Sequence, residues 1–266
     1  MGLIAALVLV LQDPAPLIER LHSDDLDTRE SAQRELVKLG ESALPALRKA
    51  HEAERDVEAK GRLAAVIAKI EKPIRYGRTA GGWTLRLEAV ASLPIKRIAF
   101  AELGADGSGA AAGWTGDGLY AITATKEQVD EAIDLAIAAD LLDADFSAVE
   151  TAEPGSSEAV FLLTFRCGKS DRTIRIASRT IPEELRKLRY LLLGALTNPV
   201  KKFQGREIGG LIRELSGTAE QAAPAEKAIR RLGAAGVPHL KKALEEKRDD
   251  VSGARIRALL AELEKR

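Results

Sequence analysis

The stretch LGAAGVPHLKKAL (residues 232–244) has a near-echo, LGESALPALRKAH, at 39–51 of the same 266-residue chain. Laying residues 39–72 over 232–265 needs no gap, and 14 of the 34 positions are identical. Leu39, Gly40, Pro45 and Leu47 meet Leu232, Gly233, Pro238 and Leu240. Arg55, Asp56 and Arg62 meet Arg248, Asp249 and Arg255. Upstream, LIERL at 17–21 answers LIREL at 211–215 with one residue of slippage. The two ends read as copies of one unit of about 55 residues, and self-similarity of this kind marks a repeat architecture.

The physics of the unit is legible. PLIERLHS gives a short amphipathic helix. The next segment places Ala32, Leu36 and Leu39 at helical spacing, and Gly40 ends it as a residue with φ > 0. Pro45 is tolerated only in the first turn of the third helix. Asp56 is the N-cap of the fourth, which gathers Leu63, Val66, Ile67 and Ile70 on one face. Ile256, Leu259, Leu260 and Leu263 repeat that face in the second copy. Two helical hairpins with short loops must bury such stripes against each other. A unit this small buries too little surface to be robust alone, so each copy is expected to find a partner surface.

Residues 74–206 read differently. GGWTLRLEAV alternates apolar Trp83, Leu85 and Leu87 with polar Thr84, Arg86 and Glu88, the pattern of a half-buried strand. KRIAFAEL and GLYAITA (118–124) read as further strands, with GADGSG as a turn. Thr125 and Gln128 form a capping box for a helix with Val129, Ile133, Ala136 and Leu141 on its buried side. AVFLLTFR and TIRIAS form a hairpin across CGKSDR, and Thr180 with Glu183 is expected to cap a last helix. Strands joined by short turns, with helices between, make the class α+β. The expected organisation is a possible signal segment at 1–14, a helical unit at 15–73, the α+β region at 74–206 and a second helical unit at 207–266.

The run from Leu17 and Leu21 through Asp27, Arg29, Ala32, Leu36 and Gly40 to Pro45, Leu47, Asp56 and Arg62 resembles the HEAT-like helical repeats of bacterial proteins. The resemblance covers roughly 15–72 and 208–265. It implies structural roles for Gly40, Gly233, Pro45 and Pro238, and for Asp56 with Arg62 and Asp249 with Arg255, which in that family knit adjacent hairpins. The second copy departs at AEQAAPAEKAIRRLG, which lacks the Asp-x-Arg element. LLDADF (141–146), VFLLTFRCGKSDRTIRI and IPEEL are similar to small modules of bacterial exported proteins, which bears on topology only.

Composition narrows the functional classes. Forty basic residues balance forty acidic ones, and aromatic content is 4%. Neither long-range attraction to nucleic acid nor a base-stacking platform is expected. Cys167 is the only cysteine, so neither an internal disulfide nor a cysteine zinc cluster can form. GLIAALVLVL (2–11) suits a signal-peptide core and is too short to span a bilayer. Export is the expectation, and a cytoplasmic protein with an apolar first helix is the alternative.

No motif names a reaction. CGKS lacks the glycine a phosphate-binding loop needs, since Leu163 stands there. HEAER at 51–55 has Arg55 where a zinc protease has its second histidine. Ser156 and Ser157 have no histidine between His51 and His239 to activate them. Asp140, Asp143 and Asp145 remain as carboxylates that could act as acid and base or hold a hard cation. The first reading is therefore a non-enzymatic interaction or scaffold protein that binds a protein partner through its helical-repeat surfaces, with no cofactor. The alternative is an enzyme or small-ligand or cation binder seated at the acidic turn.

Overall fold

Helix α1 (Ala15–Arg20) turns at Leu21 into α2 (Leu26–Leu39), whose N-cap Asp25 accepts the N–H of Thr28 at 2.9 Å. A 3-10 turn (Gly40–Ala43) leads to α3 (Leu44–Ala53), with Pro45 in its first turn. Asp56 caps α4 (Val57–Arg75) by accepting the N–H of Ala59 at 2.8 Å. The structure, a computed structural model, describes residues 13–78, 82–90, 99–112, 118–150, 160–176, 181–202, 204–246 and 251–265. The apolar run at 2–11, Thr180 and Asp249 lie outside them. The chain divides between Ala80 and Gly81 into two compact units. In the first, Leu17, Leu21, Ala32, Leu36, Leu47, Leu63, Val66 and Ile70 form one buried cluster.

The second unit is built on a seven-stranded antiparallel sheet among the described residues. Its strands are β1 (Trp83–Val90), β2 (Ala99–Gly104), β3 (Ser108–Ala112), β4 (Leu119–Thr123), β5 (Val160–Cys167), β6 (Ser170–Ile176) and β7 (Arg206–Glu207). They lie in the order β6-β5-β1-β2-β3-β4-β7. Helix α5 (Lys126–Ala138) follows β4 and opens with the Thr125–Gln128 capping box. A short α6 (Ser147–Glu150) precedes β5. Helices α7 (Glu183–Thr197) and α8 (Pro199–Lys202) follow β6. The mixed α+β class stands. Helix α7 differs from the expectation, because Pro182 holds its N-cap position and no side chain caps it.

Strand register sorts the sheet into two faces, since alternate residues point to opposite sides. Leu85, Leu87, Ala101, Leu103 and Ile122 share one face and are buried, and α7 packs on β1, β2 and β3. Arg86, Glu102, Phe100, Ala110, Leu119 and Ala121 share the other. Arg86 lies directly opposite Glu102 and donates to it at 3.1 Å, with its guanidinium 4.1 Å over the Phe100 ring.

The C-terminal helices cover part of that second face. They are α9 (Ile208–Glu214), α10 (Ala219–Leu232), α11 (Val237–Glu246) and α12 (Val251–Leu263), with a 3-10 turn at Gly233–Gly236. Their buried residues form one cluster with Phe100, Ala110, Leu119 and Ala121. Residue 206, the expected edge of the middle region, therefore lies inside a unit and joins its sheet as part of β7.

The two helical ends match element for element. Helices α2 and α10 are both 14 residues long, the 3-10 turns both 4, and α3 and α11 both 10. Burial repeats as well. Ala32 and Ala225, Leu36 and Ile229, Leu47 and Leu240, and Leu63 and Ile256 are each fully enclosed. Gly40 (φ 62, ψ −138) and Gly233 (φ 55, ψ −140) adopt one backbone conformation that side-chain-bearing residues avoid.

Candidate functional site

The acidic turn is built from backbone needs. Asp140 sits just past α5 with φ 52, its N–H donating to the Ile137 carbonyl at 3.1 Å. The next N–H, of Leu141, reaches the Ala136 carbonyl at 3.1 Å. This pair of bonds is the Schellman helix terminus, and Asp140 occupies the left-handed position that glycine usually fills. The Asp140 carbonyl then accepts the N–H groups of Asp143 (3.0 Å) and Ala144 (2.9 Å).

Asp145 Oδ1 accepts the N–H of Ser147 at 2.9 Å, at the start of α6. That backbone N–H, then the Ser147 hydroxyl and the Arg172 guanidinium, hold the Asp145 carboxyl below the usual carboxylate range. Arg172 also donates to the Ala144 carbonyl at 2.6 Å and lies 5.2 Å from the Phe146 ring centre. Asp143 and Asp145 are exposed and Asp140 is half-buried. Among the described residues, no group of three or more His, Cys, Asp or Glu is arranged to hold a metal ion. The three aspartates share a turn without converging on a point.

The other sequence candidates are dispersed. Gly168 and Lys169 form the two-residue turn between β5 and β6, where Cys167 pairs with Ser170. Burial pushes the Cys167 thiol above its ordinary value, which disfavours the reactive thiolate. His22 faces Glu54 at 3.5 Å, while His51 lies on α3 and His239 on α11. Among the described residues, no helix is long and apolar enough to cross a membrane.

A concavity the sequence reading did not single out lies in the first unit. A cavity of about 270 Å³ is lined by Leu21, Leu26, Arg29, Glu30, Gln33, Arg62, Ala65 and Val66. Arg29 Nη1 donates to the carbonyls of Ser23 (2.7 Å) and Asp24 (2.9 Å), closing the turn between α1 and α2. Arg62 Nη1 donates to Glu58 at 2.5 Å, but its Nε–H is buried and meets no acceptor.

The second copy wires the same place differently. Its counterpart of Arg29 is Ala222, and Arg255, the counterpart of Arg62, donates instead to the carbonyls of Leu215 and Gly217. The counterpart of Gln33 is Glu226, which faces Arg255 Nε at 3.9 Å. Extending the repeat alignment upstream into α2 and α10 would have exposed both exchanges in sequence.

Compared with models of known protein families the chain matches none, and no curated protein matches it.

Proposed function

We propose that this is a non-enzymatic interaction protein whose two ends are copies of a HEAT-like helical unit, the second serving as part of the folded body and the first as the partner-binding surface. The observation that carries this reading is a difference between the copies. Ala228 and Ala235 pack against the core that α9–α12 share with the sheet. The matching residues of the first copy are Glu35 and Ser42. Glu35 accepts the Ser31 hydroxyl at 3.0 Å, and Ser42 donates to the Leu39 carbonyl at 2.9 Å. The first copy is thus polar where the second is adhesive.

Elsewhere the first copy exposes apolar groups. Leu26, on the cavity wall, is 57% exposed and Val57 87%. Repeat proteins bind through extended helical surfaces and need no ionisable constellation for it. At the acidic turn the Asp145 carboxylate caps the start of α6, and the backbone groups of Asp140 and Asp143 close the turn. A photo-crosslinking amino acid at position 26 of the full chain tests the reading. A discrete protein adduct from position 26, absent when the crosslinker replaces exposed Tyr190, is expected. No adduct, or equal adducts from both positions, contradicts it.

A further inference from the structure

Strand β6 forms one edge of the sheet, and among the described residues no strand pairs with its outer side. It runs seven residues, Ser170–Ile176, and matches β5 residue for residue from Cys167 to Phe161 without a bulge. The opposite edge is blunted, since β7 is two residues long and its Arg206 is bonded to Glu214 of α9. Natural sheets guard an edge by keeping it short, by bulges, or by charges that repel a second strand. Strand β6 is neither short nor bulged, so its charges decide what its edge accepts.

Gly168 and Lys169 are the whole turn between β5 and β6, so Cys167 and Ser170 close it by exchanging both backbone hydrogen bonds. Bonding alternates along an antiparallel strand. Arg172, Ile174 and Ile176 therefore turn their N–H and C=O groups toward β5, and Asp171, Thr173 and Arg175 turn theirs outward. The side chains of these three are exposed on one face of the sheet. Asp171 and Arg175 stand two residues to either side of Thr173 and carry opposite charge. Turned end for end, the segment meets its own complement.

We propose that β6 pairs with β6 of a second copy of this chain, antiparallel about a two-fold axis at Thr173, with Asp171 of each copy opposite Arg175 of the other. Every outward backbone group of Asp171, Thr173 and Arg175 then has a partner. The contact uses the same patch on both copies, so it closes at two. Opposite charges directly across strands attract and like charges repel. Sliding the strands by two residues sets Arg175 against Lys169 in one direction and against Thr173 in the other, so charge fixes the register. At the axis the hydroxyls of Thr173 and Thr164 are 2.9 Å apart and hydrogen-bonded, which holds the central side chain. Arg166 stands opposite Asp171 on β5, so in the pair each Asp171 lies between two guanidinium groups. The contact lies wholly within the second unit and does not depend on the first copy's binding a partner.

Sedimentation equilibrium of the full chain across a range of concentrations, with hydrogen exchange of β6, tests this. An equilibrium between one and two copies is expected, and the amides of Asp171, Thr173 and Arg175 should exchange more slowly in the two-copy species. Asp171→Arg and Arg175→Asp each set like charges against one another at both ends of the contact and should weaken association at least about tenfold. An equimolar mixture of the two variants opposes arginine to aspartate at both ends and should restore it. That recovery is open only to folded chains, so it separates a lost contact from a lost fold. A single copy at every concentration up to about 100 μM overturns the proposal. So does a two-copy species whose β6 amides stay unprotected, or a mixture that associates no better than either variant alone.

Discussion

Arg255 and Arg62 occupy one position of the repeat and do different work. Arg255 satisfies the carbonyls of Leu215, which is fully buried, and Gly217 across the turn between α9 and α10. In the first copy Arg29 serves that turn, so Arg62 is released. Arg255→Leu should therefore cost about 1–3 kcal/mol, because it leaves carbonyls without their donor. Arg62→Leu should leave stability unchanged or raise it by up to about 1 kcal/mol, since it removes a buried Nε–H that meets no acceptor and only an ion pair with the largely exposed Glu58. Urea unfolding of each variant, read in the unit that carries it, checks this, and equal losses would show that the two arginines are equivalent. The resemblance implies structural roles for both arginines and says nothing of their division of labour. That division depends on Arg29 against Ala222 and Gln33 against Glu226, differences that matter only once α2 and α4 are brought side by side. Asp140 is a parallel case. A carboxylate in a cluster invites a chemical reading, but its φ of 52 identifies a helix terminus, and backbone angles leave little trace in composition.

Among the elements, those with strong periodicity or a capping signal were readable. The alternation of β1, the Thr125–Gln128 box and the glycines at 40 and 233 all appear where the pattern put them. Strand β3 was not readable. SGAAA has low strand propensity, and its composition answers to crowding instead. A Cβ on Gly109 would lie 2.0 Å from the Glu102 carbonyl oxygen, so nothing larger than glycine fits there. Ala110 lies in the cluster shared with α9–α12, and half-buried Ala112 packs against it. Helix α10 shows the same dependence on context. Ala228→Glu, which writes the first copy's residue into the second, places a charge against an apolar cluster and should destabilise that unit by about 1–3 kcal/mol. The reverse change, Glu35→Ala, removes only half-exposed polar contacts and should lie within about 0.5 kcal/mol of the parent. Thermal melts of both would decide, and a silent Ala228→Glu would mean that α10 does not need the sheet.

At the scale of the molecule, the two matching helical units have taken two fates. The second copy has merged its core with a β-sheet, and the first keeps a core of its own, with a cavity and apolar residues at its surface. The duplication was visible in sequence because identities survive in ungapped register. The merger was not, because it lies in alanines that any helix tolerates. Native-state hydrogen exchange of the full chain tests this most directly, since residues that open together report one free energy. Amides of α10 and α12 should share a single opening free energy with those of β2, β3 and β4. Amides of α2, α3 and α4 should share a different one. Exchange of α10 and α12 together with the first copy, or by themselves while the sheet stays protected, would contradict the account.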